Sequence, residues 1–185
     1  MPEWLWIVIA VAALVILAFG VWVVMSRQRR ERLRGRFGPE YDRAVSEHGS
    51  RRGAEAELAR REEQRERLDI VPLSPEAGER YSESWRELQT RFVDEPSRSV
   101  TEADRLVTDV MRERGYPMDE FDQRVADVSV DHPEVVEHYR AAHSIHLANE
   151  GGEASTEDLR QAVVHYRALF NELLDTRESQ SEEVT

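Results

Sequence analysis

The 185 residues carry 37 acidic and 25 basic side chains, a net charge of −12, with no cysteine and no lysine. Disulfides, thiolate metal sites and a cysteine nucleophile are thereby excluded, as are the phosphate-loop lysine, the kinase lysine and Schiff-base chemistry. Beyond one short arginine cluster the basic residues are interspersed with acids, which argues against nucleic-acid binding.

The chain opens on WLWIVIAVAALVILAFGVWVVM, Trp4 to Met25, with no charged residue in it. At about 1.5 Å of rise per residue this run spans about 33 Å, the thickness of a bilayer's hydrocarbon core. It predicts a single transmembrane helix, with residues 1–25 as the anchor. A cleaved signal peptide fits less well. Only Met1, Pro2 and Glu3 precede the run, and Trp22 to Met25 offer no small-residue cleavage pattern. Residues 26–36 form a basic collar, in which Arg27, Arg29, Arg30, Arg32, Arg34 and Arg36 stand against Glu31 alone. Positive charge beside a span stays cytoplasmic, so the N-terminus is expected outside and the larger C-terminal part in the cytoplasm. Trp4, Trp6 and Trp22 suit the interfacial aromatic belt. The run holds no ionisable side chain and no small-xxx-small pair, so it reads as an anchor, with no ion path or close-packed dimer seam. The collar is expected to lie on anionic lipid.

Residues 37–68 read as a charged helical stalk. Gly38 and Pro39 open a helix, Gly49 interrupts it, and RRGAEAELARREEQRERL comes next. Ala54, Leu58 and Leu68 keep a sparse heptad that Arg61 and Arg65 break, so weak coiled-coil pairing with a second copy is the rival to a solvated helix.

DIVPL, from Asp69, marks the boundary of an acidic helical bundle over 69–175. Ser74-Pro75-Glu76 starts a helix with Tyr81, Trp85, Leu88 and Phe92 on one face. Asp94 and Pro96 start the next, with a stripe of Ala103, Leu106, Val107, Val110 and Met111 that Gly115 and Pro117 end. Met118, Phe121, Val125 and Val128 line a shorter one. Asp131-His132-Pro133-Glu134 has the form of a capping box leading a helix to about Asn149, before Gly151 and Gly152. Ser155 and Asp158 cap a last helix whose stripe is Leu159, Val163, Tyr166, Phe170 and Leu173, flanked by Ala162 and Leu169. No segment alternates at period two, so the fold class is all-α: one transmembrane helix, a stalk and a small bundle. The polar tail, 176–185, reads as disordered.

Five of the six histidines fall between Asp131 and Tyr166. The spacing places His132, Val136, Tyr139, His143 and His146 on one helical face, with His165 beside the stripe of the last helix. A metal or ligand site using His143, His146 and His165, with Glu134 or Asp131 as a further donor, is the sharper hypothesis. Boundary histidines, each hydrogen-bonded once, are the simpler one. Neither Glu-x-x-His nor His-Glu-x-x-His occurs, which favours the simpler one. No catalytic, cofactor-binding or metal-ligating residue is assigned on these grounds. His-Tyr-Arg-Ala appears twice, at His138–Ala141 and His165–Ala168, each time after Val-Val. Two copies are too few for a solenoid, and they read as one amphipathic solution reached twice.

LRGRFGPEYDRAV, RGYPMDEFDQRVADVSVDHPEVVEHYRAAH and STEDLRQAVVHYRALFNELL resemble an uncharacterised group of bacterial proteins, short chains with one N-terminal hydrophobic segment and an acidic helical body. The resemblance covers most of residues 30–175 and brings no activity or site residue with it. It implies a bacterial inner-membrane protein. Together these features predict a non-enzymatic, single-pass protein that displays its bundle to a protein partner. The alternatives are the small ligand- or metal-binding domain or enzyme above, and an outward-facing envelope-structural protein.

Overall fold

The computed structural model describes residues 4–175, and side chains from residue 14 onward except at residue 15. The described residues form seven helices and no strand: α1 (Trp4–His48), α2 (Arg51–Glu66), α3 (Pro75–Arg91), α4 (Pro96–Glu113), α5 (Phe121–Asp131), α6 (Val136–Glu150) and α7 (Thr156–Asp175). The all-α expectation holds. Compactness divides the chain into residues 1–58 and 59–185.

In the first unit, α1 begins in the apolar run and continues through the arginine collar. Its side chains over Leu14 and Ile16–Met25 are largely exposed, with Ile16 at 72 % and Phe19 at 63 %. Among the described residues no helix is long and apolar enough to cross a membrane. The expected span over 4–25 rests in its first half on side chains that lie outside the described ones. At Gly38 the backbone leaves the helix (φ 45°, ψ −123°), a conformation only glycine adopts without strain, and Pro39 starts the next helical segment. Residues 37–68 comprise this segment and α2. Phe37, Tyr41, Ala44, Ala54 and Leu58 are buried, while Leu68, the third apolar position of the sparse heptad, is half-buried. The Tyr41 hydroxyl donates to Glu55 Oε1 at 2.9 Å, tying the segment to α2.

The second unit is built around α7, which packs on α6 and α4, while α3 packs on α4 and α5 on α6. The predicted stripe of α7 is the buried one: Leu159, Ala162, Tyr166, Leu169, Phe170 and Leu173. Val163 falls at its edge. Opposite stand Trp85 and Leu88 of α3 with Val107, Val110 and Met111 of α4, and the Trp85 and Phe170 rings stack at 4.7 Å. In α5, by contrast, six consecutive residues, Val125–Val130, are all buried, including Asp127 and Ser129. A one-sided stripe understates that helix. Arg61 near the end of α2 reaches Ser129 Oγ at 3.3 Å, and Arg65 pairs with Asp131.

The helix starts obey the capping signals with one exception. The Ser74 hydroxyl accepts from the Ala77 amide ahead of Pro75. At α7, Ser155 N donates to Asp158 Oδ2 at 2.8 Å and Asp158 N donates to Ser155 Oγ at 3.2 Å, a closed capping box. Replacing Ser155 by alanine should therefore cost about 1 kcal/mol, read as a lower midpoint in urea denaturation with an unchanged m-value. The exception is Asp131–Glu134. Asp131 ends α5, its carboxylate is taken by Arg65 and by the Tyr116 hydroxyl, and α6 starts later, at Val136, with no side-chain cap. The 176–185 tail lies outside the described residues.

Candidate functional site: a buried polar cluster

Four helices bring polar side chains together inside the second unit. Asp104 of α4 accepts a 2.7 Å hydrogen bond from the Tyr166 hydroxyl of α7. His143 of α6 stands with Nδ1 3.7 Å from the same carboxylate oxygen, beyond hydrogen-bond range. Its ring lies flat on Phe121 of α5, centroids 3.7 Å apart, and Phe121 also meets Tyr139 at 4.9 Å. Arg124 donates to the Tyr139 hydroxyl at 3.2 Å and to the Asp119 carbonyl at 2.9 Å. His146, one turn beyond His143, lies 5.9 Å from it ring to ring and points Nε2 toward Glu150 at 3.7 Å.

Burial raises the pKa of Asp104, but the His143 and Tyr166 side chains and the potential of His146 outweigh it, so the carboxyl sits below the ordinary range. Burial, then Asp104, pushes the Tyr166 hydroxyl far up. Burial also raises the Tyr139 hydroxyl, against the opposing pull of Arg124. Tyr166 donates and Tyr139 accepts, and both phenols hold their protons at neutral pH. His143 Nδ1, His146 Nδ1 and Thr108 Oγ1 are buried without a hydrogen-bond partner, so the cluster is incompletely satisfied.

Of the three histidines singled out in the sequence, His143 and His146 thus flank Asp104, while His165 turns elsewhere. Its Nδ1 meets His138 Nδ1 at 2.8 Å across the α6–α7 seam. The two His-Tyr-Arg-Ala copies face each other there, with Tyr139 and Tyr166 both fully buried. Asp131 is engaged by Arg65 and Tyr116, away from His143 and His146. Among the described residues no group of three or more His, Cys, Asp or Glu side chains is placed to hold a metal ion, so Glu134 and Asp131 complete no such set. Asp104 was not legible as a partner, since it sits at the margin of its helix's stripe and its partners come from α6 and α7.

A second polar node closes the other end of the unit. Arg114, 3 % exposed, donates Nε to the Val71 carbonyl at 3.3 Å and Nη1 to the Leu173 carbonyl at 3.0 Å, with its guanidinium 5.7 Å from the Tyr116 ring. Next to it Gly115 adopts φ 95°, and a Cβ there would collide with the Asp69 carbonyl oxygen. His132 is buried, with Nδ1 3.2 Å from Glu172 Oε1.

Desolvation lowers the pKa of His132 despite Glu172, and desolvation followed by His138 lowers that of His165. The unfolded chain therefore takes up protons first as pH falls below about 6.5, and stability is lost between there and the lower folded values. Denaturant midpoints of the full chain should drop from pH 7.5 to pH 5.5. His132→Gln, which cannot ionise, should flatten part of that dependence.

The cleft of about 840 Å³ lined by Glu76, Glu79, Arg80, Arg86, Leu174 and Asp175 contains no histidine and none of the cluster residues. No family model, curated protein or solved structure matches the chain.

Proposed function

We propose that the chain is a non-enzymatic, single-pass tether of the bacterial inner membrane that holds its helical bundle at the cytoplasmic face for a protein partner. The observation that carries the reading is the exposure of Leu14, Ile16, Leu17, Phe19, Val21, Trp22, Val24 and Met25, which the described residues leave uncovered. A helix apolar on every side is stable only inside a protein core or a bilayer. The run meets the six arginines of the collar at its end, which supports a cytoplasmic side for the stalk and the bundle. Tethering confines the bundle to the membrane plane and raises its effective concentration for partners there.

Membranes from cells producing the tagged full chain test the reading. The chain should resist extraction by alkaline carbonate, and a C-terminal tag should survive protease in intact spheroplasts and be lost on lysis. Recovery in the soluble fraction would overturn the anchor. Digestion without lysis would place the bundle outside, as an envelope-structural protein. A stoichiometric transition metal in the purified chain would replace tethering by the ligand-binding alternative.

A further inference from the structure

Near the end of the exposed apolar run, α2 returns beside α1. Trp22, Ser26 and Arg29 share a cleft of about 520 Å³ with Arg51, Arg52, Glu55 and Ala56. Arg29 is one helical turn beyond Met25, about 6 Å along the axis. Arg51 and Arg52 are remote from it in sequence and reach that level because the chain breaks at Gly38.

Elsewhere the chain's arginines are largely paired with acids: Arg34 with Asp42, Arg43 with Glu47, Arg67 with Glu63, Arg80 with Glu113, Arg91 with Glu102, Arg160 with Glu157. Among the described residues no carboxylate engages Arg29, Arg51 or Arg52. The one acid on the cleft wall, Glu55, accepts from the Tyr41 hydroxyl. Three guanidinium groups and one carboxylate therefore line one hollow, an excess of two positive charges in a strongly acidic protein. An indole ring and an uncovered apolar helix adjoin it.

We propose that this cleft binds the phosphate headgroup of an anionic glycerophospholipid. The inference rests on the membrane reading above and adds to it a defined site, formed partly by residues of α2. Guanidinium forks match phosphate oxygens in pairs, Trp22 suits the headgroup boundary, and the acyl chains lie along the exposed face of α1.

The test uses the full chain in dodecyl maltoside, titrated with dioleoyl phosphatidylglycerol, with dioleoyl phosphatidylcholine and with inorganic phosphate, bound species being counted by native mass spectrometry. The wild type should retain one phosphatidylglycerol in preference to phosphatidylcholine. R51Q/R52Q should bind it about thirtyfold more weakly, from roughly a fivefold factor per arginine. R67Q/R86Q, with the same change in net charge, should match the wild type. Helical circular dichroism checks that each variant is folded. Equal binding of the two lipids, or unchanged binding by R51Q/R52Q, overturns the site. So does displacement of the lipid by millimolar inorganic phosphate, which would make the ligand a soluble anion. Carbonate resistance shared by wild type and R51Q/R52Q leaves the anchor standing in each of these cases, so the two claims fail separately.

Discussion

Trp85→Ala is expected to destabilise the fold by about 3–5 kcal/mol, the range for truncating a large buried aromatic side chain. The indole is 4 % exposed and stacks on Phe170 of α7 with ring planes 20° apart, so its loss opens a cavity where α3 meets the central helix. Its Nε1 is buried without an acceptor, so the truncation forfeits packing and dispersion and no hydrogen bond. That orphaned donor yields a sharper comparison. Trp85→Phe keeps a ring against Phe170 and removes an unpaired N–H whose burial costs about 1–3 kcal/mol. It should therefore fall within about 1 kcal/mol of the wild type, the smaller ring's lost contacts offsetting the relief. Urea denaturation of both variants checks this. A tryptophan-to-phenylalanine loss as large as the alanine one would show that indole volume alone matters.

Arg114→Met is expected to cost about 3 kcal/mol. Hydrogen bonds to a charged donor contribute about 1.5–3 kcal/mol each, and this guanidinium makes two, to the carbonyls of Val71 and Leu173. Methionine preserves much of the volume and avoids burying a charge. A bare buried arginine could therefore be replaced with little loss. What methionine cannot do is donate to two carbonyls that lie beyond the protein's own helical ladders. Burial lowers the arginine's pKa, yet it stays protonated at any working pH. Arg114→Lys, with a single point of donation, should recover part of the loss. Amide hydrogen exchange localises the damage. Protection should fall first in the 69–73 connection and the last turn of α7, and a uniform loss throughout the unit would contradict the clamp.

These two residues also mark the limits of reading the chain unaided. Trp85 announces itself, because Tyr81, Trp85, Leu88 and Phe92 repeat at helical spacing and only one face of the helix can hold them. The stripe and capping box of α7 were legible for the same reason: both signals lie within a few residues of each other. Arg114 gave no such signal. Its partners are main-chain carbonyls 43 and 59 positions away, and any residue type supplies a carbonyl. Asp131 misled in the opposite way. Its local pattern with Glu134 suits a capping box, but Arg65 and Tyr116 claim the carboxylate first. The buried cluster was half visible. Helical periodicity placed His143 and His146 together, whereas Asp104 and Phe121 joined them only through the packing of α4 and α5 on α6. The pairing of His138 with His165 was present as a duplicated tetrapeptide, and only the seam between their helices gave it meaning.

Gly38 decides how the first unit meets its surroundings. With any side chain at that position the positive backbone angle becomes costly, and Pro39 bars the relief of winding on as one unbroken helix, so the turn itself must shift. The ten or so residues after it, about 15 Å of helix, would then leave their present course. Two guanidinium groups that now share a cleft with Trp22 would be drawn away from it. One hydrogen atom in place of a methyl group thus keeps this part of the chain in its present bend.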